Sequence, residues 1–304
     1  MENITQANQN KFNAATYSEA LTAFTVGWQD NDASKILNFI APAIPVGRRF
    51  EFKRSDNAEA FYSESDDLRA IGSEFKRVQY KGESVNEKTL NKGLTMRVDH
   101  DEVADDDWQE RYTQILLQRL LRNELRRAMS ALETIAQNDG EKTIWNSSAN
   151  PDADIRAMLS ACADQSGVRA NKILFGEDAW AMRLDCLENQ STSVAFRASS
   201  LTPDELAAKF MLEGCKVLSA RYQQSPTKKA KIASNKIFAF SAFDGASKDE
   251  PSNLKRFYTP SPEGTAFRVY LEEHAKYTDI TVEHYSSIVA TSTLGVRSLE
   301  IANS

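Results

Sequence analysis

The chain has 304 residues, 41% of them hydrophobic and 26% charged, the composition of a folded protein with core enough for one large domain or two smaller ones. Its formal net charge of −6 excludes a molecule that grips nucleic acid with its whole surface, while leaving room for a local basic face. Cys162, Cys186 and Cys215 are odd in number, far apart and without a histidine at ligand spacing, so neither a disulfide framework nor a zinc site is indicated, and no run approaches the roughly 20 apolar residues of a membrane span.

Met1 opens a polar segment without the charged-then-apolar pattern of a signal peptide, so synthesis and residence in the cytosol are expected. From Met1 to Ser34, Asn, Gln, Ala and Thr surround isolated aromatics (Phe12, Tyr17, Phe24, Trp28), which suits an arm ordered by docking on a body or a neighbour. The apolar run from Ile36 to Ala41 stops at Pro42, and with Pro45 it predicts a stiff, strand-like connector. Residues 1–47 are therefore grouped as arm and entry strand.

From Arg48, the alternation of Phe50 and Phe52 with charges predicts a strand. Phe61, Tyr62, Phe75, Val78 and Tyr80 give shorter signals of the same kind, punctuated by Gly72, Gly82 and Gly93. Residues 48–99 thus read as a long two-stranded excursion with too few large apolar residues for a core of its own. Isolated hairpins are marginal in water, so this one needs a surface to lie on.

Asp99 to Asp107 is strongly acidic and leads into a helix predicted over 105–137, where first-turn carboxylates offset the helix dipole and Asn138-Asp139-Gly140 supplies a stop. Trp108, Tyr112, Ile115, Leu116, Leu120, Leu125, Met129, Leu132 and Ile135 form its apolar face, broadened by Leu117 and Leu121. At about 1.5 Å per residue it would be roughly 50 Å long, a spine for other elements. A second helix is predicted from Asp152 to Asp164, then a strand from Lys172 to Phe175 and a helix from Glu177 to Leu187. Thr202-Pro203-Asp204-Glu205 has the form of a helix start, leading into Leu206 to Leu212. Later strands are predicted from Lys216 to Tyr222, Ile237 to Phe243, Phe267 to Leu271, Ile280 to Tyr285, Ser287 to Thr291 and Val296 to Ile301. The class is α+β with a discontinuous layout.

Several clusters invite a chemical reading. Asp99, Asp101, Glu102, Asp105, Asp106 and Asp107, with His100 among them, could hold a divalent metal for a hydrolase, but the cluster lacks the glycine and terminal glutamate of a calcium loop. Helix-entry electrostatics account for it, and it can also face basic residues of a neighbour. Arg119, Arg122 and Arg126, with Arg111 and Arg127 nearby, form a basic stripe: a solvated face, an ion-pairing surface between subunits, or a sequence-independent contact to nucleic-acid phosphates. Lys228, Lys229, Lys231 and Lys236 read as a solvated loop, with a role at an interface as the alternative, and His274 and His284 have no matching nucleophile motif. No phosphate-binding loop or nucleophile elbow is present, so neither catalysis nor a cofactor or metal is expected.

Taken in order, these elements resemble the major capsid protein of tailed bacteriophages, with the Hong Kong 97-like fold that encapsulin compartments share. The resemblance is carried by Ile40-Ala41-Pro42 and Val46 leading to Phe50-Glu51-Phe52, and by the excursion with Arg69-Ala70-Ile71-Gly72. It continues through Asn123-Glu124-Leu125-Arg126-Arg127-Ala128 and the run from Lys172 to Trp180, and ends with Ile288-Val289-Ala290 and Leu294-Gly295-Val296. It spans nearly the whole chain through short motifs whose weight lies in their order and spacing.

It implies an N-terminal arm, an extended loop over 48–99, a peripheral domain over 100–169 with the spine helix, an axial domain over 170–278, and a return to the peripheral domain over 279–304. The loop would lie across a neighbouring subunit, placing Arg48, Arg49, Lys53, Arg54, Arg69, Lys76, Arg77, Asp101 and Glu102 at intersubunit contacts. Arg119, Arg122 and Arg126 would face packaged DNA or pair with another subunit. The implied function is a non-enzymatic head protein whose pentamers and hexamers close into an icosahedral shell around double-stranded DNA, in the virion and, during assembly, the host cytoplasm. Because only a short arm precedes the body, a separate scaffold protein is expected, together with a portal. An encapsulin-like compartment around a cargo enzyme is the nearest alternative.

Overall fold

Most strands sort into two sheets that share one long helix. The computed structural model describes residues 16–27, 33–54, 68–69, 71–75, 83–103, 105–138, 142–190, 192–245, 247–250, 252–261 and 264–302. The first sheet is built around β14 (Tyr277–Ala290), whose one edge pairs with β5 (Leu90–Asp99). Its other edge is shared by β13 (Phe267–Glu273) and then β12 (Leu254–Thr259), both antiparallel. Outside these lie β1 (Thr16–Tyr17) against β13 and β2 (Ala43–Pro45), parallel to β12. The second sheet has five strands in the order β6 (Thr143–Ile144), β15 (Arg297–Ala302), β11 (Lys236–Phe240), β7 (Lys172–Gly176) and β8 (Gly214–Leu218). Two hairpins stand apart, β3 (Arg49–Arg54) with β4 (Glu83–Lys88), and β9 (Arg221–Ser225) with β10 (Lys228–Lys231).

Helix α1 (Glu19–Gly27) docks on the first sheet, with Leu21 in the core and the Thr22 hydroxyl accepting from the Val269 amide at 3.1 Å. The described part of the arm therefore folds against its own body. Where a strand-like run was expected, Ala33–Ile40 is helix α2, whose Ile36, Leu37, Phe39 and Ile40 are buried at helical spacing. Pro42 only ends it; extended backbone begins one residue later.

The spine helix α3 runs from Trp108 to Ile135, shorter at both ends than the 105–137 prediction. Its first half buries Leu116, Leu117 and Leu120 against Val98, Val269, Ile280 and Val282 of the first sheet. Its second half buries Leu121, Leu125, Met129 and Leu132 against Leu37, Ile40, Leu174, Phe238 and Phe240. One helix thus seals both sheets. At its end the Gln137 amide donates to Val296 O at 3.0 Å and Ala136 turns extended, while Asp139 and Gly140 of the expected stop lie outside the described residues.

On the second sheet, α4 (Pro151–Ser166), α5 (Glu177–Glu188) and α7 (Pro203–Lys209) cover Ile173, Phe175, Ile237 and Ala239. Thr202 closes a full capping box with Glu205, as its motif indicated. The three cysteines are free and buried, and burial pushes the Cys215 thiol up to about 12. Helix α6 (Ser193–Ser199) and strands β10 and β12 have no counterpart in the sequence reading. β12 escaped because it carries Lys255, fully buried with its ammonium donating to the carbonyls of Ser247 (2.9 Å), Lys248 (3.1 Å) and Glu250, and burial pulls that ammonium down to about 8.

The expected segmentation shifts accordingly. Leu90–Asp99, placed in the excursion, is a strand of the first sheet; Leu254–Thr259 and Phe267–Glu273, placed in the axial stretch, lie there too; and Arg297–Ala302 lies in the second sheet. The predicted strand from Lys216 to Tyr222 is two strands, whereas the two predicted from Ile280 to Thr291 are one.

At the β7–α5 junction, a Cβ on Gly176 would lie 2.2 Å from Ser234 O, the carbonyl that accepts from the Asp178 and Ala179 amides. Gly176→Ala is expected to cost about 1–3 kcal/mol by forcing that backbone apart, read as a lower urea midpoint at unchanged slope.

Candidate functional site

The first surface is the base of the excursion. β3 and β4 pair antiparallel from Arg49 opposite Lys88 to Arg54 opposite Glu83. One face is apolar: Phe52 is buried and its ring centroid lies 5.6 Å from that of Phe257, while Phe50 lies 4.5 Å from the same ring. Ile44, Val46, Val85 and Val289 complete this patch, so the excursion is anchored by a small core that it shares with the first sheet. Its other face exposes Arg49, Glu51 and Lys53. The Lys53 amide donates to Asp249 Oδ1 at 3.2 Å, which ties the base to the loop before β12.

The predicted contact residues separate on this frame. Arg48 stacks 4.0 Å above the Tyr285 ring of its own body. Arg69 lies 5.0 Å from the Phe75 ring centroid, and beside it Leu68, Ile71 and Phe75 are exposed by 69% or more. Lys76 and Arg77 lie outside the described residues. Asp101 and Glu102 are exposed in a short turn beyond β5, one strand length or about 30 Å from the hairpin base. In that acidic segment Asp99 accepts from the Asp101 amide and Asp105 pairs with Arg111 at 2.9 Å. Among the described residues, the carboxylates and imidazole close enough to share one ion are elsewhere, at Glu272, His274 and Asp279. There Arg97 already occupies both Asp279 oxygens, at 2.9 and 2.8 Å.

The second surface is a groove of about 620 Å³ between α3, the start of α2 and the β9–β10 hairpin. Arg119, Arg122 and Arg126 line it from the helix, and Arg221, Tyr222 and Lys229 from the other wall. The lysines read as a loop are thus partly a strand. Lys229 faces the groove, Lys231 pairs with Glu177 and Asp178, and Lys236 with Glu133. The Arg126 guanidinium sits 4.1 Å over Tyr222, and Arg221 pairs with Glu177 at 2.7 Å. Among the described residues, Arg119, Arg122, Arg126 and Lys229 make no ion pair, and no carboxylate lines the groove. The hairpin's contribution was missed; its signal was the Ser225-Pro226-Thr227 turn between polar, alternating flanks.

Beneath α3 lies a buried charge cluster. Glu124, 1% exposed, accepts from Lys92 Nζ at 2.8 Å, Arg127 Nη1 at 2.7 Å and Ser286 Oγ at 2.9 Å, with His284 Nε2 at 3.7 Å. Burial alone would raise its carboxyl, but the His284 ring and Lys92 ammonium outweigh burial and hold it well below the usual carboxylate range.

With this geometry described, comparison with solved structures defines the fold. The chain is similar to a phage-related protein of Bordetella bronchiseptica RB50, at 18% identity over 94% of this chain and 98% of that one, with a TM-score of 0.71. It is similar to the mature capsid subunit of bacteriophage PhiM1 (12% identity, 91% and 89% covered, TM-score 0.50). The encapsulin SrpI of Synechococcus elongatus PCC 7942 matches at 10% identity, 90% and 89% covered, and a TM-score of 0.50. No protein-family model matches the sequence, and comparison with curated proteins returns no match. The architecture is mixed helix and sheet around one spine helix. More particularly, it is the Hong Kong 97-like fold of phage capsid proteins that the resemblance implied. No described helix is long and apolar enough to cross a membrane.

Proposed function

We propose that the chain is a structural, non-enzymatic shell subunit. Copies assemble as pentamers and hexamers into an icosahedral head that encloses phage double-stranded DNA, with scaffold and portal as further partners, in the host cytoplasm and then the virion. One observation carries the reading: on a fold shared with a phage capsid, an excursion whose base is anchored on the first sheet exposes Leu68, Ile71 and Phe75 midway along its sequence. Large exposed side chains of this kind gain burial only when another molecule covers them, and closed symmetric assembly supplies the same neighbour to every copy. Arg49, Lys53, Arg54 and Arg69 then belong to that contact, with Lys76 and Arg77. Arg48 instead supports the hairpin from within.

The likeness to an encapsulin supports a second reading, a compartment around a protein cargo. Neighbouring genes for terminase and portal favour the head, and an adjacent cargo-enzyme gene the compartment.

The β3–β4 register gives a clean test of the shell reading. Because Arg54 faces Glu83, an Asn-Gly turn in place of residues 55–82 closes the hairpin without disturbing its anchor. The shortened chain is expected to stay soluble with an unchanged circular dichroism spectrum and to form no closed particles by negative-stain microscopy. Normal shells from it would show that the excursion is not the intersubunit element.

A further inference from the structure

We infer that the groove between α3 and the β9–β10 hairpin is a nucleic-acid site that takes the phosphodiester backbone of the enclosed DNA without reading its bases. The inference rests on the shell reading for the source of that DNA, and it is tested independently below.

Charge and its surroundings come first. Four cations in the groove, Arg119, Arg122, Arg126 and Lys229, make no ion pair among the described residues, and no carboxylate lines it. Basic residues elsewhere on this chain of net charge −6 include several that each hold a carboxylate: Arg97 with Asp279, Arg111 with Asp105, Lys142 with Glu300, Lys231 with Asp178. Uncompensated cations held close together repel one another, and an anion relieves that repulsion.

Shape and spacing narrow the anion. Arg119, Arg122 and Arg126 recur at three and four residues on one helix face, a row roughly 10 Å long at 1.5 Å per residue. A row suits a repeating anion better than a single compact one, and DNA presents a phosphate about every 3.4 Å of axis on each strand. Lys229 on the opposite wall lets the backbone be held from two sides. Arg126 already covers one face of Tyr222, at 4.1 Å, so the ring serves to fix a guanidinium instead of offering an open platform for a base. The charged groups offered to the ligand are phosphate donors, and contacts made through them are sequence-independent.

Binding of the full chain to a fluorescent duplex of arbitrary sequence, followed by anisotropy across a salt series, tests this. The double variant Arg122→Gln/Lys229→Gln is expected to weaken binding and to make the log–log salt slope shallower by about 1.8, at roughly 0.9 for each phosphate no longer neutralised. Arg111→Gln/Lys142→Gln changes net charge equally at exposed, paired positions and is expected to leave the slope unchanged. Particles of the groove variant are expected to form normally. An unchanged slope in the groove variant, or an equal change in the control pair, overturns the inference. Loss of particles with DNA affinity intact also overturns it, because the groove is then occupied by an acidic segment of a neighbouring copy. Failure of the unmodified chain to form particles would count against the shell reading and leave the salt slope as a separate result.

Discussion

Replacing Glu124 with alanine is expected to cost about 3–5 kcal/mol of folding stability, seen as a lower denaturant midpoint at unchanged slope. The size follows from what the carboxylate holds. Lys92 comes from β5, Ser286 and His284 from β14, and Arg127 from the next turn of α3, and all converge on one side chain that is 1% exposed. Removing the carboxylate leaves the Lys92 ammonium buried without its counter-ion, where burial already pulls it below its ordinary value. The penalty of an orphaned buried charge exceeds the net worth of the pair, so Glu124→Leu combined with Lys92→Met is expected to recover most of the loss.

Acid should act on the same cluster with a defined sign. The folded Glu124 carboxyl is held below its value in an unfolded chain, so its contribution is complete above about pH 4.5 and fades as pH falls through the carboxylate range. The midpoint difference between the parent chain and Glu124→Gln should therefore shrink on acidification below that point. A difference that grew instead would mean the carboxyl is protonated in the fold.

Glu124 also shows where the sequence ceases to be legible. Local signals were strong wherever backbone chemistry is local: the Thr202 capping box and the period of Leu116, Leu120, Leu125 and Leu132 each mark the element in which they fall. A charge in the core has no such mark. Glu124, Arg183 and Lys255 look like surface residues in one dimension, because apart from Arg127, one turn from Glu124, their partners lie between 31 and 162 residues away or are backbone carbonyls. Ser286 read as a break between strands for the same reason, although it is buried and bonded to Glu124 within one continuous strand. The basic groove was half visible: helical spacing exposed the arginine row, while the wall carrying Tyr222 and Lys229 depends on a hairpin about a hundred residues later.

Asp152→Ala is the second substitution expected to cost about 3–5 kcal/mol, and Lys209→Ala beside it less than about 1 kcal/mol. Asp152 lies in the first turn of α4, where Asn150 caps the helix through the Ala153 amide. Its Oδ1 accepts from Arg183 Nε and Nη2 at 3.1 and 3.0 Å, and its Oδ2 accepts from Lys209 at 2.6 Å. Arg183 also donates to Ala198 O at 3.1 Å, so one carboxylate and one guanidinium join α4, α5, α6 and α7 over the second sheet. The two cations differ in solvation: the Arg183 side chain is 0% exposed and that of Lys209 42%. Water replaces Asp152 for Lys209 but cannot reach Arg183, so deleting the carboxylate strands one cation and merely releases the other. Urea midpoints for the two variants test this contrast, and equal losses would mean that α4 to α7 are held by apolar packing alone, with the ion pair contributing as a surface contact does.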